Sequence, residues 1–391
     1  MTLCVLSLST LFPNPVRPAF GGFVGNQMAA LARRGDVDLT MLAPIGLPPW
    51  PLTLRAPYAA LAKAPAQSSI AGATALHPRF RVLPLIGGDG NAQRLAAAVL
   101  PLVRRLHAAQ PFDLVDAQFF FPDGPAAAII AKDIKRPLTI KARGSDILMW
   151  GHRPRALAQI RAAGEQAALM LAVSAELRRD MIALGLPSER IAVHYTGLDR
   201  TRFAPIPRQE AREKLGLSEG PLLLATGSLI AIKGQALAIE ALADLPGTTL
   251  ALAGAGPDEP ALRELTARLA LQDRVRFLGQ VSHTELPLWL SAANALVLPS
   301  EREGLANAWI EALACGSPLV IPDIGGAREV VQAPSAGRIA ARQPAAIAAA
   351  VREVLAADYP QAEVAANAAK FSWDSNAAEL SQHFHRVAGK V

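Results

Sequence analysis

Apolar and polar positions alternate along the chain in two registers: short, almost uninterrupted apolar runs, and longer stretches where apolar residues recur at helical spacing. LCVLSLS and VDLTML bracket an amphipathic segment over residues 27–34, and FDLVDAQ, PLTIKA and LMLAVS follow, each ahead of a helical pattern. Strands buried on both faces of a parallel sheet read as continuous apolar runs, so this rhythm predicts a doubly wound α/β sheet. The second half repeats it, with strands PLLLATG, TTLALAG, VRFLG, ALVLP and SPLVIP and helices over 235–243, 260–270, 307–315 and 344–357. Between the halves, GLDRTRFAPIP (197–207) is rich in turn residues and lacks periodicity, which places a boundary near residue 200 and predicts two Rossmann-like halves. Residues 45–90 break the rhythm with many prolines and read as an irregular insertion.

A chain of 391 residues is long enough for two such cores without disulfide or metal staples. With 51% apolar and 18% charged residues it lies far from the composition of unfolded chains. The uncharged stretch 39–54 is too short for a membrane span and carries Pro44, Pro48, Pro49 and Pro51. The apolar opening lacks the basic n-region of a secretory signal and reads as a first buried strand, giving the expectation of a cytoplasmic protein. Cys4 and Cys315, far apart and in apolar surroundings, are expected to be buried reduced thiols, neither bridged nor metal-bound. Net charge is +6, and the surplus belongs to residues 1–200, with 22 basic against 13 acidic side chains. Such asymmetry suits a half that meets an anionic partner or merely a solvated face. Aromatic residues are only 5%, and no basic run is interleaved with them, which argues against nucleic-acid binding.

Three segments carry chemistry. Gly254-Ala255-Gly256 at a strand end resembles a dinucleotide fingerprint but lacks the third glycine, so a tight turn that lets a loop approach a ligand or another backbone is the better reading. ATGSLIAIKGQALAIEAL sets Lys233 and Gly234 at the mouth of a helix after a strand, where an ammonium and helix N–H groups can converge on an anion. LVLPSEREGLANAWIEALACGSPLVIP puts Glu303 on the loop after a strand and Glu311 on the following helix, both at the carboxyl edge of a parallel sheet where ligands bind. A helix starting near Asn307 would turn the N–H groups of Ala306 to Ala308 toward a diphosphate and Glu311 toward ribose hydroxyls.

Taken in order, these residues resemble the retaining family-4 glycosyltransferases of the GT-B fold, close to bacterial polysaccharide-type members with an RGSD segment. PAFGGFVGNQ (18–27), VDAQFFFPDG (115–124), IKARGSDI (140–147), YTGLDRTRF (195–203), GSLIAIKG (227–234), AGAGP (253–257), VRFLGQV (275–281), the Glu-x7-Glu segment and IGGAREVV (324–331) carry the likeness over nearly the whole length. FSWDSNAAELSQHF resembles a tail helix that crosses back to the N-terminal domain.

The resemblance implies an acceptor-binding domain over residues 1–198, a nucleotide-sugar-binding domain over 199–370 facing it across a cleft, and a returning tail over 371–391. It implies a donor diphosphate on Lys233, ribose on Glu311, hexose hydroxyls on Glu303 and a nucleobase edge at Gln280 and Val281. Gly22, Gly227, Ser228, Gly256, Leu305, Ala306 and Asn307 would complete the donor site, while Gly21, Gly22, Arg143 and Asp146 would line the acceptor side. Lys233, Glu303, Arg143 and Gln118 would be the catalytic group, Gln118 standing in the cleft where many relatives place histidine. Ser228 and Ile232 stand where many relatives carry an arginine, which leaves Arg143 or Arg302 as candidates for the missing charge. No Asp-x-Asp motif appears, so metal-independent transfer is expected, with no cofactor beyond a UDP-sugar or related donor as substrate. The acceptor is expected to be lipid-linked or a saccharide, in envelope or exopolysaccharide synthesis, with peripheral contact to the anionic inner face of the plasma membrane. An epimerase of the same fold and a non-catalytic nucleotide-sugar binder are the rivals.

Overall fold

The computed structural model describes residues 2–18, 20–70, 73–83 and 88–390, so Ala19 of the PAFGGFVGNQ segment and parts of the 45–90 insertion lie outside the described residues. The chain forms two compact units, one of residues 1–197 with 373–391 and one of 198–372.

The first unit is built on β1 (Leu3–Leu8), β2 (Val37–Leu42), β4 (Gln67–Ile70), β5 (Ala73–Leu76), β7 (Leu114–Ala117), β8 (Leu138–Ala142), β9 (Leu169–Ala172) and β10 (Ile191–Val193), in the order β10-β9-β8-β7-β1-β2-β5-β4. All pairings are parallel except the β4–β5 hairpin. The central strands are apolar because helices cover both faces. β1 runs between β2 and β7, with Leu6 opposite Thr40 and Val115. The chain leaves β1 toward β2 and later returns to β1's other side as β7, so the topological switch point falls between β1 and β7.

The 45–90 insertion is more ordered than its prolines suggest. It adds β4 and β5 to the main sheet and pairs β3 (Ile45–Leu47) with β6 (Arg79–Arg81) beside it, over a small core of Ile45, Leu61 and Ala64. The tail helix Trp373–Val387 belongs to this unit, burying Trp373, Leu380 and Phe384 with Leu3, Val24, Met28 and Leu31. At about 1.5–3 kcal/mol per large apolar side chain, these three contribute several kcal/mol to its attachment.

The second unit is a six-stranded parallel sheet of β11 (Leu222–Thr226), β12 (Thr249–Ala253), β13 (Val275–Gly279), β14 (Ala295–Val297), β15 (Leu319–Ile321) and β16 (Gly337–Ile339). The order β13-β12-β11-β14-β15-β16 is that of a dinucleotide-type Rossmann sheet, with its switch point between β11 and β14. Helices Gln235–Leu242, Glu259–Arg268 and Pro344–Ala357 cover it through Ile239, Leu242, Leu262 and Val351.

Candidate active site

In the second unit the chain is forced toward the switch point by its own backbone. After β11 it passes the exposed Gly227 and Ser228 and a 3-10 turn at Ala231–Lys233, then turns at Gly234, whose φ of 72° caps helix Gln235–Leu242. A Cβ at Gly234 would sit 2.2 Å from the Pro299 carbonyl oxygen, so only glycine lets this loop meet the one that follows β14. The Glu301 N–H donates to the Ile232 carbonyl at 2.7 Å and locks the two loops. Their side chains meet as well: Lys233 Nζ donates to Glu303 Oε1 at 2.6 Å, and 25% of the lysine and 13% of the glutamate side chain stay open to solvent. Residues seventy apart in sequence thus form one partly open ion pair in the crevice at the sheet's carboxyl edge.

The glycines after β12 serve the same loop. A Cβ at Gly254 or Gly256 would collide with the carbonyl oxygen of Gly227 or Leu229, which fits the tight-turn reading of Gly-x-Gly. Leu305 and Ala306 are buried, and Ala306 begins helix Asn307–Ala314; the Trp309 N–H donates to the Ala306 carbonyl, and with no capping side chain the N–H groups of Asn307 and Ala308 are left for another acceptor. Glu311, one turn along, has its carboxyl pushed up to about 7 by burial. Gln280 is exposed and Val281 half-buried just past β13. Arg302 is exposed at 3.8 Å from Glu301, so it offers no buried substitute for a missing arginine.

The first unit's switch point is arranged differently. Gly21 (φ 68°) begins helix Gly22–Arg33, and a Cβ there would meet the Leu11 carbonyl at 2.5 Å, whereas one at Gly22 would meet nothing within 4 Å. Gln118 follows β7 as expected, but it does not face an open cleft. It is 0% exposed, its Oε1 accepts from Gln27 Nε2 (2.8 Å) and Arg143 (2.6 Å), and its Nε2 donates to Asp116 (2.7 Å). Fully buried and with both amide atoms engaged, it holds its neighbours in place. Asp146 departs from expectation for the same reason. It is fully buried and accepts from the N–H groups of Phe120, Arg143 and Gly144, so it fixes the RGSD turn and does not line a surface. Arg143 keeps part of its surface open, stacks over Phe23, and also donates from Nε to the Gln118 carbonyl. Burial lowers its pKa to about 10, still charged at neutral pH.

Residues that the motifs did not flag complete this cluster. Asp116 accepts from Ser7, Gln118 and Thr139. Burial raises its pKa while those donors lower it. Lys141, fully buried, donates to Gln27 Oε1 (3.1 Å) and lies 2.7 Å from His194 Nδ1, while His194 Nε2 lies 2.9 Å from the Asn376 carbonyl. An Nε2–H donating to that carbonyl leaves Nδ1 as acceptor from the lysine, which matches the downward shifts that burial imposes on both groups. The available signal was a polar residue inside an apolar strand: Ser7 in β1, Asp116 in β7, Thr139 and Lys141 in β8. Of the cysteines, Cys315 is buried, its thiol pushed up to about 12 by burial, but Cys4 is only half-buried and accepts from Gln110; both are free.

Comparison with known proteins decides the family. Residues 23–202 match the family model "Glycosyltransferase Family 4" and residues 207–371 match "Glycosyl transferases group 1". A D-inositol 3-phosphate glycosyltransferase of Frankia alni is 30% identical over 68% of this chain and 72% of its own length. The chain belongs to the family-4 glycosyltransferases. It is also similar to TuaC of Bacillus subtilis, named for teichuronic acid biosynthesis, at 28% identity over 82% of this chain and 81% of that one. Among solved structures, a sucrose-phosphate synthase of Thermosynechococcus elongatus superposes with TM-score 0.79 at 19% identity, over the full length of both chains. Anabaena HepE in complex with UDP gives 0.74 at 22%, covering 99% of this chain and 100% of that one. These two likenesses concern the fold, which is GT-B with two Rossmann-like domains. The family-4 chain is therefore a glycosyltransferase. Among its described residues no helix is long and apolar enough to cross a membrane, and no group of three or more His, Cys, Asp or Glu is placed to hold a metal ion.

Proposed function

We infer that this enzyme transfers a sugar, with retention, from a nucleotide-diphosphate donor such as a UDP-sugar to a lipid-linked or saccharide acceptor, in envelope or exopolysaccharide synthesis at an anionic membrane surface. The observation that carries the reading is the partly open Lys233–Glu303 pair at the β11/β14 switch point, beside a helix start with no capping side chain. In this reading Lys233 turns from Glu303 to the leaving diphosphate, Glu303 takes the donor hexose hydroxyls and Glu311 the ribose. Gly227, Ser228, Gly256, Leu305, Ala306 and Asn307 bring backbone close to the phosphates, and Gln280 and Val281 meet the base. On the N-terminal unit, Gly21, Gly22 and Arg143 serve the acceptor. The C1–O bond to the diphosphate breaks as the acceptor oxygen bonds C1 on the same face, and the acceptor proton leaves with the diphosphate oxygen. The Lys233 ammonium, once turned to the diphosphate, and preorganised N–H dipoles supply the charge stabilisation this needs, so transfer proceeds without a metal. The complexes of HepE with UDP and with UDP-glucose support the donor class.

Calorimetry with UDP, paired with transfer assays on several nucleotide sugars, native lipid extracts and EDTA, tests the reading. Binding followed by EDTA-insensitive transfer, with the donor's anomeric configuration kept in the product, is expected. Sugar conversion without any acceptor would instead identify an epimerase, and binding without turnover a non-catalytic binder.

A further inference from the structure

The 45–90 insertion carries the most exposed large apolar side chains of the described residues, Trp50 at 78% and Leu54 at 68%, within five positions of each other. Both sit on an exposed turn with few free backbone donors. Leu52 N–H donates to Pro49, Leu54 N–H to Pro51 and Arg55 N–H to Leu52, while Pro48, Pro49, Pro51 and Pro57 have no N–H to leave unpaired. The tip can therefore enter a medium of low water content with few backbone donors to desolvate. Behind it, Ile45, Leu61 and Ala64, with Leu47 and Tyr58 packed on them, hold the turn on the unit.

Its electrostatic setting is equally distinctive. From residue 39 to residue 88 the sequence contains no Asp or Glu, yet it contains Arg55, Lys63, Arg79 and Arg81. Elsewhere in this unit acidic residues are interspersed with the cations and some pair with them, as in Arg34–Asp36, Arg104–Asp133 and Lys390–Asp113. Arg79 is held by the carbonyls of Ala64 and His77, and Arg55, Lys63 and Arg81 are exposed with no carboxylate beside them among the described residues. An indole and a leucine at a tip, with Arg55 on the same turn, Arg81 opposite Leu47 in the β3–β6 pair and Lys63 at the end of helix Tyr58–Ala62, match the two halves of an anionic bilayer surface: acyl chain boundary and negative headgroups.

We propose that the Trp50–Arg55 turn is the element by which this enzyme docks on an anionic membrane, Trp50 and Leu54 entering the interface and Arg55, Lys63 and Arg81 facing the headgroups. The proposal rests on the membrane-surface reading above and assigns the contact to one turn. Its test is sedimentation of the full chain with vesicles of phosphatidylcholine alone or with 30% phosphatidylglycerol, at 0.1 M and 0.5 M salt.

Wild type is expected to bind the anionic vesicles at low salt, and W50S/L54S to lower the partition coefficient at least tenfold. R55E/K63E should remove the salt-sensitive part while, in the vesicles still bound, brominated lipid quenches a component of the tryptophan fluorescence that is absent from W50S and is thereby assigned to Trp50. Absence of wild-type binding overturns both the membrane reading and the turn's role. Binding that W50S/L54S leaves unchanged, or a wild-type Trp50 that brominated lipid does not quench, overturns the turn's role and leaves the membrane reading standing. A dimer without lipid that W50S/L54S converts to monomer makes the patch a contact between copies and overturns the proposal. UDP affinity is expected to be the same in all variants.

Discussion

The two units share a topology but use its switch point in opposite ways. Between β11 and β14 the Lys233–Glu303 ion pair is one that water still reaches, next to the Asn307 and Ala308 N–H groups, which have no internal acceptor. Between β1 and β7 six polar side chains, Gln27, Asp116, Gln118, Lys141, Arg143 and His194, are hydrogen-bonded to one another or through a shared partner, and only Arg143 keeps appreciable exposure. An open pair has capacity left for a ligand, whereas a satisfied buried network spends its capacity on fixing geometry. The expected division of labour is chemistry on the second unit and shape on the first.

The largest effect is expected from Lys233→Ala. Removing one fixed donor from a developing anion costs about 2.7–4 kcal/mol, so kcat/KM should fall by ~100–1000-fold. Because the ammonium is part-exposed and touches no core, the thermal midpoint should move little. A variant that keeps wild-type turnover would remove the second unit's pair from the chemistry and collapse the contrast.

Asp116→Ala should do the converse. It strips one acceptor from Ser7, Thr139 and Gln118 at once in a site with no water access, a change worth about 3 kcal/mol or more. Thermal unfolding should register it, while UDP affinity measured by calorimetry on the still-folded protein should stay within twofold. A large loss of UDP affinity with an intact midpoint would show that the buried network serves the nucleotide directly.

These contrasts were only partly legible in the sequence. Long apolar runs gave β1, β2, β7–β9 and β11–β15 nearly to the residue, because burial on both faces leaves an unbroken apolar signature. β14 and β15 are equally short but sit inside longer apolar runs, whereas β10 (IAV) and β16 (GRI) lack such flanks and show no periodicity. The helix at Gly22–Arg33 starts five positions before residue 27 because Gly21, in a left-handed conformation, replaces the usual side-chain cap. In the insertion, QSSI and ATAL are too polar and too short to announce a hairpin. The resemblance brings Lys233 and Glu303 to one donor site, but their direct ion pair is visible only in the structure. A strand's carboxyl end and the family resemblance put Gln118 in the cleft, and the resemblance alone puts Asp146 there; only tertiary packing shows that both face inward.

Glu311 sharpens the open side of the comparison through pH. Its carboxyl lies near 7 in the folded protein against an ordinary value of 4.5. A raised acid pKa means that the folded state holds the proton more tightly. Stability is then full below about pH 4.5 and declines as pH rises toward 7, by roughly 2–3 kcal/mol before any discount for solvent access. Glu311→Gln should therefore flatten this decline and be the more stable protein at pH 8. If the carboxylate also accepts from ribose, wild-type affinity for UDP-glucose, whose diphosphate does not titrate here, should rise between pH 6 and 8, and the variant's should not. Identical pH profiles for the two proteins would take Glu311 out of the site.

The smallest effect, and the one that probes the closed side, is expected from Gln118→His, which installs the residue many relatives carry. Imidazole has one donor and one acceptor in its neutral form, so it can keep the bonds to Asp116 and Arg143 but cannot also accept from Gln27. One amide N–H is left unpaired, at about 1–2 kcal/mol. Full burial beside the Arg143 guanidinium disfavours the imidazolium, as it does for His194 in the same cluster, while the Asp116 carboxyl works against this only weakly because burial raises its own pKa. The variant should thus lose a little stability, keep its rate within about tenfold, and show no new limb in the pH profile between 6 and 8. A new limb near pH 6.5, or a rate change of two orders of magnitude, would mean that position 118 reaches the reacting groups, and the first unit's switch point would have to be redrawn as an open site like the second.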